Sequence, residues 1–289
     1  MGQVWAYMNL KGGIGKTTLS ANISRALIEL RPVKILLVDT DPQSSLTLIF
    51  KNEDEVDNIN EGDTFYDILC NPTEYMPQKI ESCIVPVYSS GESRIDLIPS
   101  HVQIIRPMIQ AMTAGVRAGQ ALRFDLMGQN FENFIVEAKR VYDLVILDTN
   151  PSGNLATFLA IKNSNYIIAP VTGNRFAIRG VSLMREVFEN EFDWLSRERF
   201  RLIPLINDVN DSAEGVAVRD QLHQRGNGLG DQALQEYVFH SKFLAYTEKK
   251  QGFAIDRGTL RMNIGKQKRL RDNLKAVASA LEIRTRLYQ

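Results

Sequence analysis

Residues 9–18 read Asn9-Leu10-Lys11-Gly12-Gly13-Ile14-Gly15-Lys16-Thr17-Thr18. Three glycines, two lysines and two hydroxyls in ten positions are the residue types that hold a polyphosphate. A glycine-rich turn between a strand and a helix gathers backbone N–H groups and a helix N-terminus about one point, and that point favours an anion. In such a cradle the Lys16 ammonium reaches the β- and γ-phosphates of a nucleotide, and the Thr17 hydroxyl holds Mg²⁺. The flanks suit the reading. Val4 to Met8 is an apolar run that reads as a buried strand, and from Leu19 to Leu30 the apolar residues recur at helical spacing. The ordinary loop pattern, G-x-x-x-x-G-K-[ST], requires glycine where this chain has Leu10. Lys11 follows at once, a second cation without a local task, because one lysine already serves the phosphates in the ordinary pattern.

Carboxylates stand where they would complete such a site. Asp39-Thr40-Asp41-Pro42-Gln43 follows the apolar run Val33 to Val38. Two carboxylates two positions apart on extended chain point the same way, so both can face the phosphates; the plainer alternative is one Asp capping a helix. Asp148 ends the run Tyr142 to Leu147 and reads as a Walker B carboxylate, on the metal side of the site. Further strand-like runs end at Pro99 (from Arg94), Pro170 (from Tyr166) and Asn207 (from Phe200). Several are continuously apolar, as in strands covered on both faces. Their alternation with helical stretches predicts an α/β fold: a mostly parallel sheet with helices on both faces and right-handed crossovers. Ligands of such sheets bind beyond the carboxyl ends of the strands, where these polar residues converge. Residues 51–63, acidic and poor in apolar side chains, read as an exposed loop, and Gly226 to Gly230 as another loop or turn.

The chain has 289 residues, 44% of them apolar, with 34 Lys and Arg against 34 Asp and Glu. Zero net charge leaves no global field to draw in nucleic acid or membrane, so any such affinity needs a local patch. One stands at the C-terminal end. From Ser241 to Gln289 there are 12 Lys and Arg against 4 acidic residues, a local excess of +8. Lys266, Lys268, Arg269, Arg271 and Lys275 cluster at the start of a predicted helix whose apolar stripe is Leu270, Leu274, Val277 and Leu281. The stripe reads as core packing. The charges read either as a solvated face or as sequence-independent contacts to DNA phosphates, and their concentration in a neutral chain favours DNA. The two cysteines, Cys70 and Cys83, have neither metal-ligand nor redox spacing and read as reduced thiols. No apolar run approaches a membrane span, and no signal peptide is expected before a loop that begins so early.

The run Lys11-Gly12-Gly13-Ile14-Gly15-Lys16-Thr17-Thr18 resembles the deviant Walker A motif of ParA/MinD-type ATPases, and the chain is more similar to the ParA (Soj-like) partition branch. The likeness runs over most of the chain, through Thr64 to Leu69, Ile95 to Ser100, Pro170-Val171 with Gly180, and Ile206-Asn207-Asp208, and thins between 238 and 255. It implies one P-loop ATPase domain over 1–289 with a basic helical segment at about 260–289. ATP and Mg²⁺ are the implied cofactors, held by residues 11–18 (Lys11, Gly12, Gly13, Ile14, Gly15, Lys16, Thr17 and Thr18). Thr17, Asp39 and Asp148 are on the metal side, and Asp41 positions the attacking water. Asn207 is either an adenine contact or a turn residue. Lys11 is implied to cross to the phosphates of a second subunit, so that ATP joins two copies and slow, partner-stimulated hydrolysis releases them. The implied partners are a second copy of the chain, non-specific DNA and a ParB-like centromere-binding adaptor, in the cytoplasm on the nucleoid, with no stable membrane association. The family continues Asp148 as Asp-x-Pro-Pro, but here Asn150 replaces the first proline, which leaves the geometry of that turn open. The first strand opens the chain, so no operator-reading module is expected before it. Two other branches share the loop. A MinD-like positioning protein would need a C-terminal helix able to lie on a membrane, and an iron-protein or metal chaperone would need cysteines at a dimer axis.

Overall fold

A computed structural model describes residues 1–71, 75–106, 109, 118–172, 175–191, 202–208, 216–217, 220, 233–245, 252–256 and 264–287. In chain order the elements are β1 (Gln3–Tyr7), α1 (Lys16–Ile28), β2 (Lys34–Asp39), α2 (Thr47–Phe50), α3 (Glu53–Asp57), α4 (Phe65–Cys70) and α5 (Met76–Cys83). Then come β3 (Val85–Ser90), β4 (Ser93–Ile98), α6 (Ala118–Val141), β5 (Leu144–Asp148), α7 (Leu155–Lys162) and β6 (Tyr166–Thr172). The chain ends with α8 (Arg175–Glu191), β7 (Leu202–Asn207), α9 (Lys242–Ala245) and α10 (Ile264–Thr285). The strands form one seven-stranded sheet in the order β3-β4-β2-β5-β1-β6-β7, parallel throughout except for the β3–β4 hairpin.

The period of two along each strand divides the interior into two layers. Trp5 and Tyr7, Ile35 and Leu37, Ile95 and Leu97, and Leu144 and Ile146 face α1 and α10. Val4, Ala6 and Met8, Leu36 and Val38, and Val145 and Leu147 face α4, α5, α6, α7 and α8. Both faces are therefore covered, as the continuous apolar runs predict. The stripe Leu270, Leu274, Val277 and Leu281 is fully buried in the first layer, against Leu19, Ile23 and Leu27 of α1.

The structure departs from the sequence reading in three places. Residues 51–63 are exposed but not a bare loop. Asn52 accepts from the Glu55 N–H and the Glu55 carboxylate accepts from the Asn52 N–H, a capping box that starts α3. A 3-10 turn follows at Glu61–Asp63. β3 was not read from the sequence, because Pro86 interrupts it. Proline is tolerated there since β3 is an edge strand, and its register shifts between Pro86 and Tyr88. β6 does not stop at Pro170 but continues to Thr172. The Pro170 carbonyl faces the β1 side, where β1 has already ended, so the missing N–H of the ring breaks no ladder bond. At the far edge, Leu234 and Val238 donate their N–H groups to the carbonyls of Pro204 and Ile206 on β7. The expected turn at 226–230 and the start of the seventh strand at Phe200 and Arg201 lie outside the described residues.

Candidate functional site

The loop at residues 9–15 joins β1 to α1, and its backbone needs glycine at two places. Gly13 has φ +69° and Gly15, the N-cap of α1, has φ +84°. Only glycine takes this left-handed conformation without cost. No side chain caps α1 and its first turn holds no acidic residue, so its leading N–H groups face the loop. The loop is braced from two strands. Asn9 donates from Nδ2 to the Pro170 carbonyl at 2.8 Å and accepts from the Lys11 N–H at 3.1 Å. Asn207, at the tip of β7, donates from Nδ2 to the Ile14 carbonyl at 2.9 Å. A Cβ at Gly15 would fall 2.5 Å from that same Nδ2, so the close approach also demands glycine. Asn207, read from the sequence as an adenine contact or a turn residue, braces the loop in the structure, a role that neither reading named.

Lys16 is buried, and its Nζ lies 3.4 Å from the Asn9 carbonyl and 3.3 Å from that of Lys11. Burial lowers its pKa, and the charges of Asp148 and Asp41 oppose that shift. The Lys11 side chain is exposed at the mouth of the loop.

Three carboxylates approach from the strand tips. Asp39 and Tyr7 both lie in register with Asp148, which levels the ends of β1, β2 and β5. The Thr17 hydroxyl donates to Asp148 Oδ2 at 2.7 Å, and the Ser20 hydroxyl lies 3.4 Å from Oδ1. Asp39 is fully used by its surroundings: Oδ2 accepts from the N–H and hydroxyl of Thr47, at 2.8 and 2.7 Å, and Oδ1 from the Asp41 N–H at 3.1 Å. Burial pushes Asp39 up to about 7, against the lowering effect of the Thr47 hydrogen bonds. Burial, then the charge of Asp39, pushes Asp148 up to about 8. Asp41 is half-buried, accepts from the Gln43 N–H at 2.9 Å, and is also raised by burial.

The donor set fits a small divalent cation. Such an ion takes hard oxygen ligands, and the Thr17 hydroxyl and Asp148 carboxylate meet at one point. Two buried carboxylates whose pKa values are both raised are the sign of a site short of positive charge. Asp39, with three donors already on it, is placed to orient rather than to ligate directly. Sequence reasoning did not single out Asn9, Ser20 or Thr47; the signal for each is only its spacing from a motif residue.

Asn150 resolves the departure from Asp-x-Pro-Pro. Its Oδ1 accepts from the Ser152 N–H at 3.1 Å, the Ser152 hydroxyl at 2.9 Å and the Thr157 hydroxyl at 3.2 Å. Asn154 then caps α7 by accepting from the Thr157 N–H at 2.9 Å. A side chain thus organises the turn that the family builds from proline.

The five basic residues clustered at the start of α10 are not equivalent. Lys266 and Lys268 are exposed, and the Arg269 guanidinium lies over the Phe239 ring at 4.9 Å. Arg271 donates from Nη2 to the Ile255 carbonyl at 3.2 Å, and its Nε is 3.4 Å from Glu29. Lys275 is 4.0 Å from the same carboxylate. Arg25, one turn earlier on α1, forks onto Asp256 with two bonds of 2.8 Å and stacks on Tyr88. The other basic residues at 249, 250, 257 and 261 lie outside the described residues. Cys83 and Cys70 pack in the layer of α4 and α5. Among the described residues no helix is long and apolar enough to cross a membrane.

The family model of an AAA domain, AAA_31, matches residues 2–195. An uncharacterized protein of Methanocaldococcus jannaschii is 31% identical over 181 residues, which are 63% of this chain and 63% of that protein. The sporulation initiation inhibitor protein Soj of Bacillus subtilis is 28% identical over 185 residues, again 63% of each. The match thus spans less than two thirds of these relatives' own length. A putative plasmid partition protein of Borrelia burgdorferi, solved bound to AMPPNP, superposes with a TM-score of 0.66 at 21% identity, over 96% of this chain and 98% of that one. That likeness is one of fold. With a parallel sheet, a two-lysine glycine loop and a family model that covers most of the sequence, the chain belongs to the AAA_31 family of AAA domains, of the ParA/MinD type.

Proposed function

We propose that residues 1–289 form one Mg²⁺-dependent ATPase of the partition or positioning kind, which pairs with a second copy of itself when it binds ATP, holds DNA of any sequence in that state, and lets go on hydrolysis. The observation that carries this is the convergence of Lys16, Thr17, Asp39, Asp41 and Asp148 beneath a loop of left-handed glycines. Bound Mg²⁺ supplies charge neutralisation along the polyphosphate. The chain does the rest by positioning. Lys16 leaves its two loop carbonyls for the β- and γ-phosphates. Thr17 and Asp148 hold the cation, with Asp39 fixing the β2 tip. Asp41, less buried than Asp39 and near Lys16, orients the attacking water. Lys11, exposed at the mouth of the loop, is free to meet the phosphates of the second copy as an added positive charge.

The names of the relatives support the partition reading: Soj of B. subtilis and the Borrelia plasmid partition protein. A ParB-like adaptor that stimulates hydrolysis and a nucleoid location follow from it. The burial of the α10 stripe against α1 favours DNA over a membrane, because that apolar face is already used in the core. The test is binding to duplex DNA of arbitrary sequence with ATP, with ADP and with no nucleotide. The reading requires binding with ATP alone, and Lys16→Ala must abolish ATP binding, pairing and DNA binding together. DNA binding that ignores nucleotide, or near-normal ATP affinity in Lys16→Ala, would refute it.

A further inference from the structure

The turn after Asp148 carries a donor that the hydrogen bonds of the turn leave over. All three bonds of Asn150 are accepted by Oδ1, and one comes from the Ser152 backbone N–H, which can only donate. That fixes which end of the amide is oxygen and leaves the NH₂ group without a hydrogen-bond partner among the described residues. Asn150 is 8% exposed, so this is a largely buried side chain, two residues beyond Asp148 at the carboxyl edge of the sheet. The next residue, Pro151, comes within 3.9 Å of where a Cβ on Gly12 would stand, so the turn rests against the glycine loop. The amide nitrogen is not among the enclosed, unpartnered side-chain atoms, so it reaches the surface of the turn and is free to meet a ligand bound beside the loop. An NH₂ group can donate but cannot act as a base, which suits an anionic oxygen and not the activation of water.

We propose that Asn150 Nδ2 donates a hydrogen bond to the terminal phosphoryl group of the bound nucleoside triphosphate, and so helps this chain distinguish triphosphate from diphosphate. The inference rests on the ATPase reading and adds to it a residue where proline could give nothing. Oδ1 holds the turn while Nδ2 reads the ligand, and the two ends can be separated by substitution. Asn150→Asp keeps an acceptor for Ser152 and Thr157 but replaces the donor with a charged oxygen. Asn150→Ala removes the donor without adding charge.

The experiment measures affinity for AMPPNP and for ADP, each with Mg²⁺, in the parent chain and both variants by calorimetry. Both variants should bind AMPPNP about tenfold or more weakly, the effect of losing a hydrogen bond to a charged group, while ADP affinity changes by no more than about twofold. The Asn150→Ala loss should persist at high salt, which screens charge repulsion but not a missing donor. Equal losses for both nucleotides would mean that the side chain only shapes the turn, and would overturn the inference. A loss in Asn150→Asp with none in Asn150→Ala would assign the effect to repulsion and overturn it equally. A parent chain that bound neither nucleotide would overturn the ATPase reading, and this inference with it.

Discussion

The contact between Gly15 and Asn207 makes a prediction about coupling between the loop and β7. Asn207→Ala leaves the buried Ile14 carbonyl without its donor, at a cost of about 1–3 kcal/mol. Gly15→Ala places a methyl group on a residue with φ +84°, worth about 1–2 kcal/mol of backbone strain. Its Cβ would also lie 2.5 Å from Asn207 Nδ2, a distance that forces the amide aside and breaks the same hydrogen bond. The single change at Gly15 should thus cost about 2–5 kcal/mol. Once the amide is displaced, its removal adds little, so the double variant should be hardly less stable than Gly15→Ala. The expected non-additivity is about 1–3 kcal/mol. Urea denaturation of the nucleotide-free protein, followed by circular dichroism, measures all four corners of the cycle. Costs that add within about 0.5 kcal/mol would refute the shared contact. An Asn207→Ala chain of unchanged stability but weaker nucleotide binding would return Asn207 to the role of an adenine contact.

Three further outcomes are expected. Asp39 and Asp148 keep protons in the fold to about pH 7 and about pH 8, whereas the unfolded chain releases them near about pH 4. The unfolded state therefore binds fewer protons between these values, and the metal-free protein should lose stability as pH rises from about 4 to 8. Melting temperatures across that range without Mg²⁺ check it, and a rise toward pH 8 would contradict the burial of the pair. For DNA, Lys266→Glu with Lys268→Glu should weaken binding to every duplex by a similar factor and flatten the log–log salt slope by about 2, at unchanged melting temperature. Arg271→Glu should destabilise the fold instead, because it loses the Ile255 carbonyl and meets Glu29 with like charge. Unchanged DNA affinity in the lysine pair would make those charges a solvated face.

Much of the site was legible because its parts are local in sequence. The glycine loop, the Asp39 and Asp41 pair and Asp148 each follow an apolar run that reads as a strand, and parallel topology brings strand ends together. The two-layer core followed from the same runs. What could not be read depends on contacts between distant segments. Nothing near Asn207 signals that its amide meets a carbonyl 193 positions earlier, or that Asn9 reaches Pro170. The inequality of the basic residues on α10 depends on Glu29, Ile255 and Phe239, three positions outside that helix. β3 was hidden by its proline, and α3 by its charge, although the Asn52 and Glu55 spacing carried the capping signal.

The borders of the sheet bear on how copies of this chain can meet. β3 ends the sheet with a proline and a register shift, and β7 has its outer carbonyls taken by Leu234 and Val238. A bare strand border recruits another chain without regard to ligand, since backbone pairing is the same in every state. With one border blunted and the other occupied, strand addition is discouraged, and self-association is left to loops and side chains. Under the proposed function those are the parts of the fold that a nucleotide would reshape, so the sheet itself would help keep pairing answerable to the ligand.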